Sequence, residues 1–242
     1  MIISLKKAFR AYSEHPFTFV WGTLVYLLFQ VLFLLCALGL LVILFFVTTL
    51  GSMKISLNEP GTQLVIGVIG AILLFFMCGM NAALMRAYAN ALNGVKISVR
   101  EFLEYLLQKS AMIFAIMIIR ELITLLLVAP VVAIWWYYLK SITYSEVFVT
   151  LYSLFMLFIV HMLFTPAMLS AGVFGSSLIQ SLKNGFGFLR RKHVFFIFLY
   201  ALFALIWLLN FIPFVQLVTL FVLYPVIYSA MIIMVQDMGK KR

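Results

Sequence analysis

"SVREFLEYLLQKSAMIFAIMIIRELITLLLVAP", residues 98–130, holds two kinds of helix in one line. In its first part Val99, Phe102, Leu103, Leu106 and Leu107 recur at helical spacing, while Arg100, Glu101, Glu104, Gln108 and Lys109 occupy the rest of the circumference. That pattern suits a helix lying at an interface. From Ala111 onward the polar side vanishes, and the apolar run exceeds the roughly 20 residues needed to cross about 30 Å of hydrocarbon. Inside lipid every backbone N–H and C=O must be bonded within the segment, so such a run is helical. The fold class is therefore all-α, a polytopic membrane bundle.

The rest of the chain agrees. Of its 242 residues 66% are hydrophobic and 10% charged, against about half and about a quarter in soluble domains. One integral membrane domain spans 1–242, and no polar stretch is long enough for a soluble core of its own. Six apolar runs read as spans, at about 17–42, 63–88, 111–138, 146–171, 193–212 and 214–236. The first run stays apolar from Phe17 to Leu50, which asks for a tilted helix or one broken near Gly39. The fifth and sixth runs meet at "NFIPF", where Pro213 and the lack of a spacer imply a tight hairpin. The apolar run after Lys6, Lys7 and Arg10 is too long for a signal-peptide core, so it is read as a retained first span.

Basic residues set the orientation. Lys54 and Lys140 fall on one side and Arg120 falls within a span; every other lysine and arginine of the 17 falls on the opposite side. The positive-inside rule then places both termini in the cytoplasm and the protein in the cytoplasmic (inner) membrane as a multi-pass chain. A net charge of +10 needs no nucleic-acid partner to explain it.

Three segments repeat. "SLKKAFRAYSEHPF" from Ser4, "SVREFLEYLLQKSA" from Ser98 and "SLKNGFGFLRRKHV" from Ser181 each open Ser-aliphatic-basic and reach an apolar run 13 residues later. The even spans echo each other in "TPAMLSA" from Thr165 and "YPVIYSA" from Tyr224, with Gly79 standing where the first copy would carry the proline. The predicted unit is an interfacial amphipathic helix, a span and a return span, repeated over about 1–92, 93–175 and 176–242. Pro166 and Pro225 are expected to kink their helices and to free carbonyls that neighbours must satisfy.

The "ALNG" loop with the Ser98–Phe102 helix start, "SSLIQSLKNGFGFLRRKH", and Pro166 in the fourth span resemble the membrane-domain superfamily named after glycerophosphoryl diester phosphodiesterases. That resemblance implies a stand-alone six-span protein over essentially the whole chain, without the catalytic barrel that names the family. Relatives often carry an acid soon after the fourth-span proline. "AMLSAGVFG" has none, so a role for such an acid does not carry over.

Within the third span, Arg120 and Glu121 stand side by side about 14 Å deep. Neighbours on a helix point about 100° apart, so each is expected to pair with another helix rather than with its neighbour. His161 and Gln30 lie at similar depth, and the four form a predicted polar layer, either a structural cluster or a transport site. The register of the repeats puts Tyr26 and Leu27, then Phe203 and Ala204, in the places of the charged pair, so the charges break the symmetry.

On the cytoplasmic side Lys6, Lys7, Arg10, Arg190, Arg191 and Lys192 are candidates for anionic lipid headgroups. Trp21, Trp135, Trp136, Tyr137 and Tyr138 read as interfacial anchors. Gly67, Gly70 and Ala71 offer a small-residue face for packing within the bundle or against another subunit. "GSS" at Gly175 reads as a loop that caps the following helix.

Catalysis has little to work with. Only seven acids are present, one of them deep in the membrane, and zinc, nucleophile-elbow and phosphate-loop motifs are missing. Cys36 and Cys78, isolated in apolar runs, read as buried small hydrophobes. The sequence thus predicts a non-catalytic membrane protein without metal or cofactor, a scaffold or regulator touching lipids, other membrane proteins or itself. The rival is a small-solute or proton-coupled transporter or channel built on the Arg-Glu-His cluster.

Overall fold

The computed structural model describes residues 2–50, 60–142, 144–209 and 213–239. Its elements are helical in order: α1 (Ile2–Glu14), α2 (Pro16–Leu50), α3 (Pro60–Ala91), α4 (Val99–Ile134), α5 (Ser145–Phe174), α6 (Leu178–Leu209), α7 (Pro213–Val218) and α8 (Tyr224–Gly239). Single π-helical turns follow α4 at Trp135–Leu139 and α7 at Thr219–Leu223. Among the described residues five helical stretches have the length and apolarity to cross a membrane: Pro16–Leu40, Ile66–Ala91, Val99–Leu139, Ser145–Phe174 and Val215–Asp237. Residues 210–212, where the fifth-to-sixth hairpin is expected, lie outside the described residues.

Local chemistry sets the helix ends. Pro16 disfavours helical geometry at His15 and separates α1 from α2. Ser98 opens α4 with a capping box, its hydroxyl accepting from the Glu101 N–H at 3.1 Å while Glu101 accepts from the Ser98 N–H at 2.8 Å. Gly175 (φ +63°) closes α5 in the left-handed conformation. Beyond it, Ser177 Oγ accepts from the Gln180 N–H at 3.4 Å, the cap expected of "GSS". At that end of α5, Arg86 donates to Val173 O at 3.2 Å and the Tyr105 hydroxyl donates to Gly172 O. A cation and a donor thus meet carbonyls that the helix leaves unbonded.

The three segments that open at Ser4, Ser98 and Ser181 differ in kind. The first is a helix of its own, whereas the second and third run without a break into the apolar part of α4 and α6. Only the first has a proline at the junction to force a break. α2 continues through Gly39, which resolves the tilted-or-broken alternative in favour of one helix.

α8 is the central helix. Ala230, Met231 and Ile232 are wholly or almost wholly buried, in a cluster with Ala8 of α1, Tyr88 of α3, Leu169 of α5 and Phe188 of α6. A second cluster joins α3, α4 and α5 through Ala82, Ile116 and Phe164. A third joins α2 to α3 and α4 through Val25, Ala83 and Phe102. Close approaches occur at Gly79 against Ser110, Gly172 against Met85 and Gly185 against Ala167. The predicted packing face at Gly67, Gly70 and Ala71 is not used within the bundle: Gly67 and Gly70 have open space at the Cβ position and Ala71 is exposed. Cys36 is likewise exposed on the outer side of α2 rather than buried, while Cys78 is buried.

Pro166 sits inside an unbroken α5. Pro225 follows the π turn, and having no N–H it cannot bond Phe221 O in the helical manner. That carbonyl accepts instead from the Tyr12 hydroxyl of α1 at 3.0 Å, so a neighbouring helix satisfies it. Tyr12→Phe is expected to lower stability by about 1 kcal/mol, measured by unfolding in lipid nanodiscs, with the far-ultraviolet spectrum unchanged. A variant as stable as wild type would remove this bond from the forces docking α1.

Candidate functional site

The structure brings Arg120, Glu121 and His161 together and corrects how they pair. Glu121 Oε1 accepts from Arg120 Nε at 2.9 Å and also from Arg120 Nη2, so adjacent residues do form the ion pair. The 100° divergence fixes only the Cβ directions. An arginine arm is long enough to fold back along its own helix, and no water competes for the carboxylate in an apolar surround. His161 Nε2 on α5 lies 3.8 Å from the same Oε1. Thr124 on the next turn of α4 donates to Arg120 O at 3.0 Å.

The pair also separates two spaces. Arg120 lines an interior cavity of about 220 Å³ between α3, α4, α5, α6 and α8. Asn81, His161, Thr165, Tyr200 and Tyr228 supply its other polar groups; Cys78, Met85, Met117 and Met231 belong to its apolar wall. Glu121 instead lines an open, mostly apolar groove on the outer side of α4 and α5, with Ile118, Leu122, Leu125, Val128, Ser153 and Leu157. The exposures match: the Arg120 side chain is 13% exposed and that of Glu121 45%.

Gln30 does not join the layer directly. Its Nε2 donates to the Tyr26 hydroxyl at 2.8 Å, and Tyr26 donates to Asn81 Oδ1 at 3.3 Å. Gln30 therefore reaches the cavity lining through one tyrosine. Asn81 spends its oxygen on that contact, which leaves its NH₂ as a donor beside the Arg120 guanidinium, while the Thr165 hydroxyl donates to His161 O at 2.7 Å. A cavity so furnished suits an anion.

Asn81, Thr165, Tyr200 and Tyr228 were not read as site residues from the sequence. Asn81 carried a signal, being a lone amide within "MCGMNAAL". The tyrosines carried none, because their hydroxyls become cavity groups only through the rotation of α6 and α8.

Of the basic residues, Lys6, Lys7 and Arg10 are exposed on α1, whose buried Ala8 packs into the α8 cluster. Arg10 also pairs with Glu14 at 2.8 Å. Arg190 and Arg191 are exposed just beyond buried Phe188 and Leu189; the side chain of Lys192 lies outside the described residues. Trp21 donates to Ile97 O at 2.8 Å, and Trp135 to Ser145 Oγ at 2.9 Å. Lys140 Nζ stands 4.0 Å from the centre of the Trp136 ring, with Tyr137 and Tyr138 exposed beside it.

No family model, no curated protein and no solved structure matches this chain.

Proposed function

We propose that this chain is a multi-pass membrane protein that binds a small anionic group in the bundle interior, as a transporter or channel of small solutes would. The observation that carries the proposal is the cavity of about 220 Å³ lined by Arg120 and by polar residues from four other helices. A purely structural polar layer would be packed shut, since unfilled volume costs stability. Intramembrane ionisable groups around a cavity are the usual mark of a solute or proton path. His161 Nε2 lies 3.8 Å from Glu121 Oε1, and in this reading the two exchange a proton after closing to hydrogen-bond distance.

The same proposal includes six spans, the apolar part of α6 supplying the fifth, in three repeated units with both termini cytoplasmic in the inner membrane. It includes membership of the superfamily named after glycerophosphoryl diester phosphodiesterases, without catalytic activity or cofactor. A second reading, a scaffold or regulator bound to anionic lipids, other membrane proteins or itself, is favoured by Lys6, Lys7, Arg190 and Arg191, which stand exposed on elements anchored to the central cluster.

Thermal unfolding in zwitterionic nanodiscs tests the solute reading, with acetate, phosphate and chloride compared at matched ionic strength. An anion held at a hundred times its Kd stabilises by about 2.7 kcal/mol. The expected result is such a rise for at least one anion, absent from an Arg120→Gln/Glu121→Gln variant. Equal behaviour of the two proteins in every anion would overturn the reading.

A further inference from the structure

We infer that the anion is the head of a long-chain carboxylic acid, admitted sideways from the bilayer along the α4–α5 groove. The inference rests on the solute-binding reading of the Arg120 cavity and adds the substrate class and the route. It starts from the position of one ion pair: Arg120 lines the interior cavity, Glu121 lines the outer groove, and their salt bridge joins a residue of one to a residue of the other.

The groove has a volume of about 440 Å³ and is walled chiefly by aliphatic side chains. From Ile118 to Val128 it follows roughly 15 Å of helix at 1.5 Å per residue. An extended chain advances about 3.6 Å for three bonds, so the groove takes about twelve bonds of one acyl chain. Thr124 and Ser153 do not make it polar, because each hydroxyl is spent on a carbonyl of its own helix, Arg120 O at 3.0 Å and Val149 O at 2.7 Å.

The head is identified by what the guanidinium already holds. Nε and Nη2 of Arg120 both donate to a carboxylate oxygen, and the carboxylate is the more exposed partner. Glu121 is therefore the group that can leave, and a second carboxylate is its natural replacement. The exchange balances in protons. The incoming acid arrives neutral from the bilayer, its O–H bond breaks, and the proton forms a new O–H bond on Glu121, whose Oε1 stands 3.8 Å from His161 Nε2. The guanidinium keeps one counter-anion throughout, and no net charge enters the lipid. A phosphate monoester, charged at neutral pH, has no such neutral route.

The test uses the full chain in phosphatidylcholine nanodiscs with palmitate bearing a photoreactive diazirine midway along the chain, crosslinks being mapped by mass spectrometry. The expected labels fall on Leu125, Val128 and Leu157 and are competed away by unlabelled palmitate. Leu157→Trp, on an exposed position of the groove, should cut that labelling about tenfold, as should Arg120→Gln/Glu121→Gln. Melting curves establish that each variant is folded before labelling, and Leu157→Trp tests the chain site without touching the ion pair. Labelling spread evenly over the outward faces, or groove labelling indifferent to Arg120, is annular lipid and overturns the inference. If acetate still stabilises wild type through Arg120 in that event, the solute-binding reading stands without the acyl chain. If neither acetate nor palmitate depends on Arg120, both fail.

Discussion

Glu121→Leu alone is expected to cost about 3–5 kcal/mol, and Arg120→Leu/Glu121→Leu together much less, within about 1 kcal/mol of wild type. The single change leaves a guanidinium that is 13% exposed without its carboxylate. Thr124 cannot compensate, because it donates to the Arg120 carbonyl, not to the side chain. The double change removes both charges and places two aliphatic chains in an apolar surround, where burial of a pair is often neutral or unfavourable relative to packed hydrocarbon. Unfolding of the two variants and of Arg120→Leu in nanodiscs closes the cycle and gives the coupling directly. A double variant as unstable as Glu121→Leu would show that the pair holds the helices in register. That outcome would return Arg120 to a structural role.

The second large effect concerns packing. A Cβ at Gly79 would stand 2.0 Å from Ser110 Oγ and 2.6 Å from Leu106 O. The serine can turn away only by giving up its 2.6 Å bond to that same carbonyl, and the carbonyl itself belongs to the backbone of α4 and cannot move alone. Gly79→Ala is therefore expected to lose about 3 kcal/mol or to prevent assembly of α3 on α4. Gly67→Ala and Gly70→Ala provide the comparison in the same helix, since a Cβ at either meets nothing within 4 Å. Those two should gain up to about 1 kcal/mol from helix propensity alone. Melting temperatures in nanodiscs read both directions, and a stable Gly79→Ala would show α3 and α4 further apart than described.

The architecture was legible because lipid leaves so few options. Apolar runs longer than a bilayer specify helices through backbone hydrogen bonding, and the caps at Ser98 and Gly175 are local chemistry that needs no partner. Counting residues at 1.5 Å each puts Arg120, Glu121 and His161 at one level of their helices, and the structure brings the three side chains together.

Tertiary structure decided the rest. Depth says nothing of rotation about the helix axis, and rotation puts Arg120 on the cavity, Glu121 on the groove and Gln30 one tyrosine away. The reach of an arginine arm, not the angle between neighbouring Cβ atoms, decided that the pair closes on itself. Which small residues mark helix contacts depended on neighbours far along the chain, so Gly79 and Gly185 became contacts and Gly67 and Gly70 did not. In lipid, apolarity no longer tells the inside of a bundle from its outside. The sequence of this protein therefore determined its helices and their caps, while the packing alone determined which faces meet and where the space between them lies.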